Sequence, residues 1–558
     1  MPRMRALRMT LAAVLIATCA TAPRNDVRVG EVDPDGEVVN WFPNDPGVID
    51  PQAAGTIYQA AVVFSVFEPL LTTDPLTFTP VAAAADLPTV SSDGLIYHFT
   101  LRPGGFYSDG LPVKASDFAY GISRLCEPGI TQLAVYIPVA IRGCAGWNAL
   151  DPATARADQL LVARRNLLAT GLVATSDRDL EIRLLYPAPY LMQFFALWLT
   201  APARQKDVER NGDDWFLDPA NYIGNGPFVL SEWIQEKRMV FDRNPRYRMP
   251  AKAKRITRLI FNRNDRNAGA QALAAYRSGA LHTFEADLAT LAEAKAAGLE
   301  SEVVLSPYAC SNYLRLNHAR PPLDDPKVRL ALAKSIDRDA YIREAQPLAT
   351  PASSFIPKGL PGHDPDDDAQ SFDLAAARRL LMESRYAGTP ALQGLVWRIG
   401  SQQPLKVPRA ESIVNQWRAL GLEVKVEVID QGDFAAQMRS ITTRPLFFSN
   451  TWCADYPDPQ NFLSAFFPSS VQRGQNDFGY RNSTVDALLA EADRTVDSAK
   501  RLDLYLRTSR IVSAEVGFIW LTYTVVGALR KPWLGGLNAS AMDPGGLFHP
   551  GAILVRRH

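Results

Sequence analysis

An apolar, extended run that stops at two prolines is the feature that most constrains this chain. Residues 445–448 read Pro-Leu-Phe-Phe, and residues 451–459 read Thr-Trp-Cys-Ala-Asp-Tyr-Pro-Asp-Pro. Because proline fixes its own φ and donates no backbone hydrogen bond, we expect a buried strand that ends in a rigid turn, with Asp455 at its exit. A carboxylate there is costly to bury unless a cation meets it. That cation is either an internal Arg or Lys, or the ammonium group of a ligand.

Length and charge limit what can surround this turn. The 558 residues suffice for two or three domains, and 47% of them are apolar, as in an ordinary globular protein. The formal net charge is +0, which argues against a general affinity for nucleic acid or an anionic membrane. No nucleic-acid partner is therefore predicted.

The N-terminus is typical of an export signal. Three arginines precede an apolar segment, residues 9–18, that is too short to span a bilayer. Cys19 follows Ile-Ala-Thr, which resembles a lipidation site except that Thr is unusual before the cysteine. The alternative is that small residues around 18–22 serve an ordinary signal peptidase. In both cases residues 1–25 are predicted to be a signal, and the mature chain is expected in the periplasm, soluble or anchored as a lipoprotein.

The cysteines agree with export. Besides Cys19 there are four, at positions 126, 144, 310 and 453. An even number in an oxidising compartment favours two disulfides, for which three connectivities exist. Unpaired buried thiols are the alternative. None of the spacings is typical of a zinc site.

No enzyme motif stands out. The sequence lacks Gly-x-Ser-x-Gly, Ser-x-x-Lys and His-Glu-x-x-His, and its six histidines are scattered. We therefore predict no catalytic residue, no metal site and no cofactor. A secreted peptidase, built from residues that meet only in the fold, stays open as an alternative.

The hydrophobic patterns indicate an α/β chain. Predicted strands at 392–399 and 422–428 flank a helix at 409–420, and a strand–helix–strand pattern implies a parallel sheet. A helix is expected at 60–71 and a strand at 74–81, the latter from its alternating residues.

The central turn also resembles a known family. The run Trp-Cys-Ala-Asp-Tyr at 452–456, followed by Asn-Phe-Leu at 461–463, resembles the periplasmic oligopeptide-binding proteins of peptide ABC importers, which are family 5 extracellular solute-binding proteins. Other matching runs lie at 67–71, 101–118, 327–338 and 531–536. The resemblance implies a type II, two-lobed periplasmic-binding-protein fold with a hinge and a ligand cleft between the lobes. Lobe I would comprise 26–308, with an inserted subdomain at about 72–190, and 525–558, while lobe II would comprise 309–524.

The resemblance also implies a site. In the family the Asp of the motif takes the α-ammonium group of a bound peptide, which assigns that role to Asp455. A Pro-Tyr-x-Cys segment pairs there with the motif cysteine, so Cys310–Cys453 is the expected disulfide, leaving Cys126 with Cys144. Tyr120 matches a tyrosine near the ligand.

Peptide capture needs backbone partners and aromatic walls. The strand through Trp452 and Cys453 could supply backbone groups on one side, and the Gly55-Thr56 turn on the other. Aromatic walls could come from Tyr308, Tyr313, Trp452 and Tyr523, with core packing as the alternative for each.

One departure from the family concerns the far end of a peptide. Family members can carry an Arg just before the motif that meets a short peptide's carboxylate, but residues 448–451 here read Phe-Ser-Asn-Thr. Arg439 and Arg444 are the nearest replacements. The expected function is capture of peptides by a monomer and their delivery to a membrane ABC permease. The alternative is the same fold with a metal chelate, a sugar or a modified peptide.

Overall fold

A computed structural model describes residues 30–130, 137–262, 265, 267–470, 477–537 and 540–557. The predicted signal peptide, 1–25, and the lipidation site, Cys19, lie outside these residues. Within them, no helix combines the length and the apolar composition that a membrane crossing requires.

The strands follow one another along the whole chain. In order they are β1 (Glu37–Phe42), β2 (Leu71–Thr73), β3 (Pro80–Ala82), β4 (Thr89–Val90), β5 (Ile96–Thr100), β6 (Leu172–Ala174), β7 (Asp179–Arg183), β8 (Phe228–Ile234), β9 (Arg238–Arg243), β10 (Arg255–Ile260), β11 (Thr283–Glu285), β12 (Val303–Leu316), β13 (Thr350–Pro351), β14 (Leu395–Gly400), β15 (Val424–Ile429), β16 (Phe447–Cys453), β17 (Phe518–Arg530), β18 (Leu534–Gly535) and β19 (Leu554–Val555).

The helices are interspersed among them. In order they are α1 (Ile57–Val66), α2 (Ala115–Arg124), α3 (Cys144–Asn148), α4 (Ala157–Thr170), α5 (Leu191–Phe194), α6 (Gln205–Asn211), α7 (Ala268–Arg277), α8 (Leu288–Ala296), α9 (Pro326–Lys334), α10 (Arg338–Ala345), α11 (Leu374–Met382), α12 (Lys406–Trp417), α13 (Gln431–Gln437), α14 (Leu463–Phe466), α15 (Ser483–Ala492) and α16 (Ser498–Ala514). Many begin where a Thr, Asp or Asn side chain accepts a hydrogen bond from the first turn, as Thr56, Asp373 and Asn482 do.

One large sheet organises the molecule. Its strand order is β16-β12-β17-β11-β1-β10-β9-β8, and β13 adds to β17. The two long strands, β12 and β17, pair with each other; β17 also pairs with β11, and β12 also pairs with β16. Their mutual pairing is interrupted between Pro307 and Ser311. Such a bulge redirects side chains, and here it carries Tyr308, Ala309 and Cys310.

Two sets of buried residues pack on either side of this bulge. The first core draws on residues 38–256 and 534–555. The second core draws on residues 309–523. Three residues cross between them: Tyr456 packs in the first core, whereas Phe78 and Met542 pack in the second. Each is at most 4% exposed, so the two halves of the molecule are in contact in this structure.

Both disulfides are confirmed. Cys126 pairs with Cys144 in the first core, across 18 residues of chain. Cys310 pairs with Cys453 across 143 residues and ties β12 to β16. The predicted parallel pair is also confirmed, because β14 and β15 run parallel on either side of α12.

Two local predictions are wrong. The first helix ends at Val66 rather than at 71, because Pro69 has no N–H to continue it. Residues 74–79 form a turn rather than a strand, because the Asp74 carboxylate accepts hydrogen bonds from the N–H groups of Leu76 and Thr77. The predicted limits of the lobes and of the inserted subdomain stay a prediction.

Candidate functional site

The strand that carries the central motif is an edge strand. β16 stands at the end of the large sheet and pairs on one side with β12. Most of its residues are half-buried, so the prediction of a buried strand is wrong. The physical reason is its edge position: Phe447 is buried at the start of the strand, whereas Phe448 is half-buried and Thr451 is exposed.

The register shows which backbone groups face the open edge. Ala454 N–H donates to the Ala309 carbonyl at 2.8 Å, and Asn317 N–H donates to the Leu446 carbonyl at 2.9 Å. Hydrogen-bonded and non-hydrogen-bonded pairs alternate in an antiparallel ladder. The pairs that contain residues 449, 451 and 453 are therefore non-hydrogen-bonded. The peptide groups of Ser449, Thr451 and Cys453 therefore point away from β12. The Thr451 N–H donates to the Asn450 side-chain oxygen at 2.9 Å, and an extended ligand that pairs with this edge would replace that bond.

Asp455 lies just beyond this edge, in a turn fixed by Asn461. The fully buried Asn461 side chain accepts from the Asp455 N–H at 3.0 Å and donates to Asp455 Oδ2 at 3.2 Å. Trp452 Nε1 donates to the Asn461 carbonyl at 2.9 Å. These three bonds hold the strand end, the carboxylate and the turn together as one unit.

Tyr308 marks an acidic region beside Asp455. Burial raises the pKa of Tyr308 well above its usual value, and Tyr58, Glu285, Asp543 and Asp455 raise it further. Three carboxylates thus act on a single hydroxyl. Tyr58 Oη donates to Glu285 Oε2 at 3.2 Å, which brings the start of α1 to the same region. Such a concentration of negative charge favours a cationic group of a ligand.

Thr56 has a structural role at the start of α1. Its hydroxyl accepts from Gln59 N–H at 3.3 Å, and the Gln59 side-chain oxygen accepts from the N–H groups of Gly55 and Thr56 at 2.9 and 3.1 Å. This is a complete capping box. The N–H groups of the Gly55-Thr56 turn are thus already engaged. The predicted contact of Thr56 with a ligand stays a prediction.

Trp452 and Cys453 lie at the edge as expected. Trp452 is half-buried and meets Phe466 edge-on, with ring centroids 4.9 Å apart. Cys453 is also half-buried and presents its backbone at the open edge. The predicted contact of Trp452 and Cys453 with a ligand stays a prediction.

Two predicted wall residues belong to the second core instead. Tyr313 is 0% exposed and stacks on Phe518 at 4.8 Å. The Tyr523 hydroxyl donates to the Ser354 carbonyl at 2.9 Å and accepts from the Ser354 N–H at 3.1 Å. The core-packing alternative fits both tyrosines in this structure, because their surface is used by protein atoms.

Tyr120 stands apart from this group. It lies on α2, and the Arg164 guanidinium sits 5.8 Å from its ring centroid. Burial raises its pKa, and the charges that modulate it come from Arg124, Arg164, Glu209 and Glu127. All of these belong to the first half of the chain. The predicted position of Tyr120 near a ligand stays a prediction.

Neither arginine expected at the far end of a peptide is well placed. Arg444 is 0% exposed, donates to the Met438 carbonyl and packs 5.0 Å from the Phe478 ring. Arg439 is exposed at the end of α13. A different cation, which sequence reasoning missed, reaches the edge strand: Lys406 Nζ donates to the Ser449 carbonyl at 2.8 Å. The sequence around residue 406 carries no motif that could have found it.

A cavity of about 510 Å³ adjoins the Asp455 turn. Residues Tyr186, Tyr190 and Phe194 line one side, and Gln460, Ser464 and Asp493 line the other. Across it the Arg494 guanidinium lies 4.4 Å from the Tyr186 ring centroid. The contact between the two halves of the molecule is thus not fully packed, and it leaves room near the candidate site.

The fold and the edge strand define a class of protein, and the family comparison agrees. The model for bacterial extracellular solute-binding proteins, family 5, matches residues 77–474. This is well over half of the chain, so the chain belongs to that family of solute-binding proteins. Its fold is the two-lobed α/β fold that the sequence predicted.

Individual relatives cover nearly the whole chain. Over 547 residues it is 27% identical to the periplasmic oligopeptide-binding protein OppA of Salmonella typhimurium, covering 96% of this chain and 95% of that protein. Over 507 residues it is also 27% identical to the probable deoxycholate-binding periplasmic protein YgiS of Escherichia coli, covering 88% and 89%. The named ligands of such relatives thus differ in chemistry.

Solved structures confirm the fold. The murein tripeptide-binding protein MppA of Escherichia coli superposes with a TM-score of 0.77 at 23% identity, covering 94% of this chain and 100% of that one. Haemophilus influenzae OppA, in complex with RPPGFSPFR, gives 0.76 at 22% identity with the same coverage. The likeness extends over both halves of the molecule.

Proposed function

We propose that this protein captures peptides in the periplasm and delivers them to an ABC importer permease. The peptide lies between lobe I, 26–308 and 525–558, and lobe II, 309–524, which close over it about the crossing strands β12 and β17. The protein acts as a monomer and performs no chemistry on its ligand. Residues 1–25 direct its export, with or without lipidation of Cys19.

The observation that carries this proposal is the position of Asp455. Its carboxylate lies directly beyond the open edge of β16, in the acidic region around Tyr308. A peptide that pairs with that edge presents its α-ammonium group at one end and backbone groups along its length. The strand edge satisfies the backbone, and the acidic region satisfies the ammonium.

Deoxycholate, the ligand in the name of the relative YgiS, fits the site less well. A bile acid such as deoxycholate carries a carboxylate but neither an ammonium group nor a peptide backbone. It would place an anion or an apolar ring system where three carboxylates act on Tyr308. The electrostatics of the site therefore favour a peptide, and deoxycholate serves as a competing ligand in the test.

The test uses Asp455→Asn, which keeps the shape of the side chain and its bond to Asn461. Calorimetry compares one peptide in its free-amine and N-acetylated forms. Losing one partner of a buried charge pair costs about 2–5 kcal/mol, so the free-amine peptide should bind roughly thirtyfold to several-thousandfold more weakly to the variant. The acetylated peptide should bind wild type poorly, and the variant should discriminate little between the two forms.

Asp458→Asn is the matched control. Asp458 lies in the same turn, but Arg501 donates to its two carboxylate oxygens at 2.7 and 2.8 Å. That variant should lose stability while keeping its preference for a free amine. If Asp455→Asn weakens both forms of the peptide equally, Asp455 is structural and the proposal is wrong. Mass spectrometry of the peptide after incubation tests the peptidase alternative, because a binding protein returns it intact.

A further inference from the structure

Asp455 lies where the chain passes from one core of the molecule to the other. Ala454, directly before it, belongs to the second core and is 3% exposed. Tyr456, directly after it, belongs to the first core and is 1% exposed. Because the two neighbours are buried in opposite halves, the position of the Asp455 carboxylate depends on both halves at once. If the halves separated, the Tyr456 side chain would lose the core that covers it.

Tyr456 is also tied to the turn that holds Asp455. Its hydroxyl donates to the Gln460 side-chain oxygen, and its carbonyl accepts from the Asp458 N–H at 2.9 Å. Burial raises the pKa of the Tyr456 hydroxyl well above its usual value, and Asp458, Tyr190 and Asp455 raise it further. Tyr190 precedes α5 in the first half of the chain. The phenol therefore stands between the Asp455 turn and the first half of the molecule.

Phe78 makes the reverse crossing, from the first half of the chain into the second core. It is 3% exposed there, in the same cluster as Ala454 and Phe462, which flank the Asp455 turn. Its φ is 57°, a left-handed conformation that is strained for a bulky residue. Such a conformation persists where the surroundings determine it, and here the Phe78 N–H donates to the Asp74 carbonyl at 2.8 Å. The strain thus accompanies the burial of a ring in the opposite half.

We propose that Tyr456 is a positioning residue that completes the ammonium site only when the two halves of the molecule are together. With its ring in the first core, Tyr456 fixes the turn from the side opposite to Ala454, and Asp455 is then held where it meets an ammonium group. Phe78 stabilises the same closed arrangement from the other half but lies outside the turn. This inference rests on the proposed function and adds the step that links ligand recognition to closure.

The two aromatic residues should therefore affect binding in different ways. A variant that only favours separation of the halves lowers the population that is competent to bind, and this weakens every ligand by the same factor. A variant that displaces Asp455 also loses the preference for a charged amine, because that preference arises at the carboxylate. The ratio of the affinities for free-amine and N-acetylated peptide separates the two effects.

The probe is the alanine-based peptide of two to eight residues that wild type binds most tightly, in its free-amine and N-acetylated forms. Calorimetry measures the tight complexes, and competition against a fluorescent peptide measures the weak ones. Phe78→Gly removes the ring and accepts the left-handed backbone, so it should weaken both forms about 10- to 100-fold and keep their ratio. Tyr456→Ala should weaken the free-amine form further and lower the ratio by about tenfold or more. Tyr456→Phe keeps the ring and should restore most of the ratio.

Tyr222→Ala is the matched control for the loss of a buried tyrosine. Tyr222 is 0% exposed in the first core, where its hydroxyl donates to the Ile49 carbonyl, and it comes from the same half as that core. Tyr222→Ala should lose stability in thermal unfolding and keep both affinities within a few-fold of wild type. Small-angle scattering follows closure: Tyr456→Ala and Phe78→Gly should need more peptide than wild type to reach the compact form, and Tyr222→Ala should not.

The outcomes separate this inference from the function on which it rests. If Tyr456→Ala weakens both forms of the peptide by the same factor, as Phe78→Gly does, Tyr456 only supports closure and does not position Asp455, while peptide capture stands. If no alanine-based peptide binds wild type in either form, the proposed function fails and the role of Tyr456 fails with it. Should Tyr456→Ala not fold, Tyr456→Leu takes its place, and a ratio equal to that of wild type then overturns the inference.

Discussion

The two ends of β16 are built in different ways. At the acidic end, Asp455 is held by Asn461, six residues away, within one turn that also contains two prolines. At the basic end, Lys406 reaches the Ser449 carbonyl from a separate helix, 43 residues away in sequence. One end is a local structure, whereas the other exists only once α12 has packed beside the strand.

The difference shows which end of β16 holds its charged group rigidly and which end lets it move. The Asp455 carboxylate is fixed by a buried amide and by backbone bonds, so it can hold a charged group in one position. The Lys406 ammonium stands on a flexible four-carbon stem that can move to a partner. The acidic end of β16 is therefore the more rigid of the two.

The largest expected effect comes from removing the disulfide that links β16 to β12. Replacing Cys310 and Cys453 together by alanine opens a loop of 143 residues. In the chain-entropy model this costs about 5 kcal/mol of stability, against about 3 kcal/mol for Cys126 and Cys144, which close 18 residues. Denaturant unfolding of the two double variants measures both values.

The same pair of variants also tests function. Without its disulfide β16 is less firmly held to β12, so the first variant should lose affinity for peptide at both ends. The second variant should bind normally, because its bond lies in the first core. Equal binding by both variants would show that the ladder alone holds the edge strand in place.

An intermediate effect is expected at the acidic end alone. Asn461→Ala leaves the Asp455 N–H without its acceptor, which costs about 1–3 kcal/mol of stability. It should also lower the preference for a free-amine peptide by roughly tenfold, because the carboxylate is no longer held in place.

Asn225→Ala is the control for that variant. Asn225 is also buried and likewise makes two bonds, accepting from Glu68 N–H at 2.9 Å and donating to the Glu68 carbonyl at 3.0 Å. It lies away from β16, so it should lose a similar stability and keep the amine preference. A loss of that preference in Asn225→Ala would mean that general destabilisation explains both results.

The smallest effect is a pH dependence at the basic end. Burial, together with Arg409 and Arg315, lowers the pKa of Lys406 to about 8. Between that value and about 10.5 the unfolded chain binds more protons at this group than the folded one, so stability should rise with pH across this window. The gain should be about 1 kcal/mol, because solvent reaches this half-buried group. Urea unfolding of wild type and Lys406→Met at pH 7, 8.5 and 10 measures it.

Much of the fold and the acidic end of β16 could be predicted from residues 451–463 and from the other runs that resemble the family. The prolines, the Asp and the Asn of the turn act on one another within about ten residues, so their geometry is encoded locally. The parallel pair around α12 also follows from short segments, whereas the pairing of the four cysteines came from the family resemblance. Phe78 could not be placed in the same way, because its contacts lie in the second core, far away in sequence.

The sequence by itself indicated an α/β chain that resembles a two-lobed family, and it placed Asp455 just beyond the end of a strand. Only the tertiary structure decided that the strand is an edge strand, that Tyr313 and Tyr523 pack inside, and that Lys406 stands at its other end. The physical reason is that local patterns record hydrophobicity and turn chemistry. Which edge of a sheet stays open, and which charge lies beside it, depends on the packing of elements that the chain brings together from more than forty residues apart.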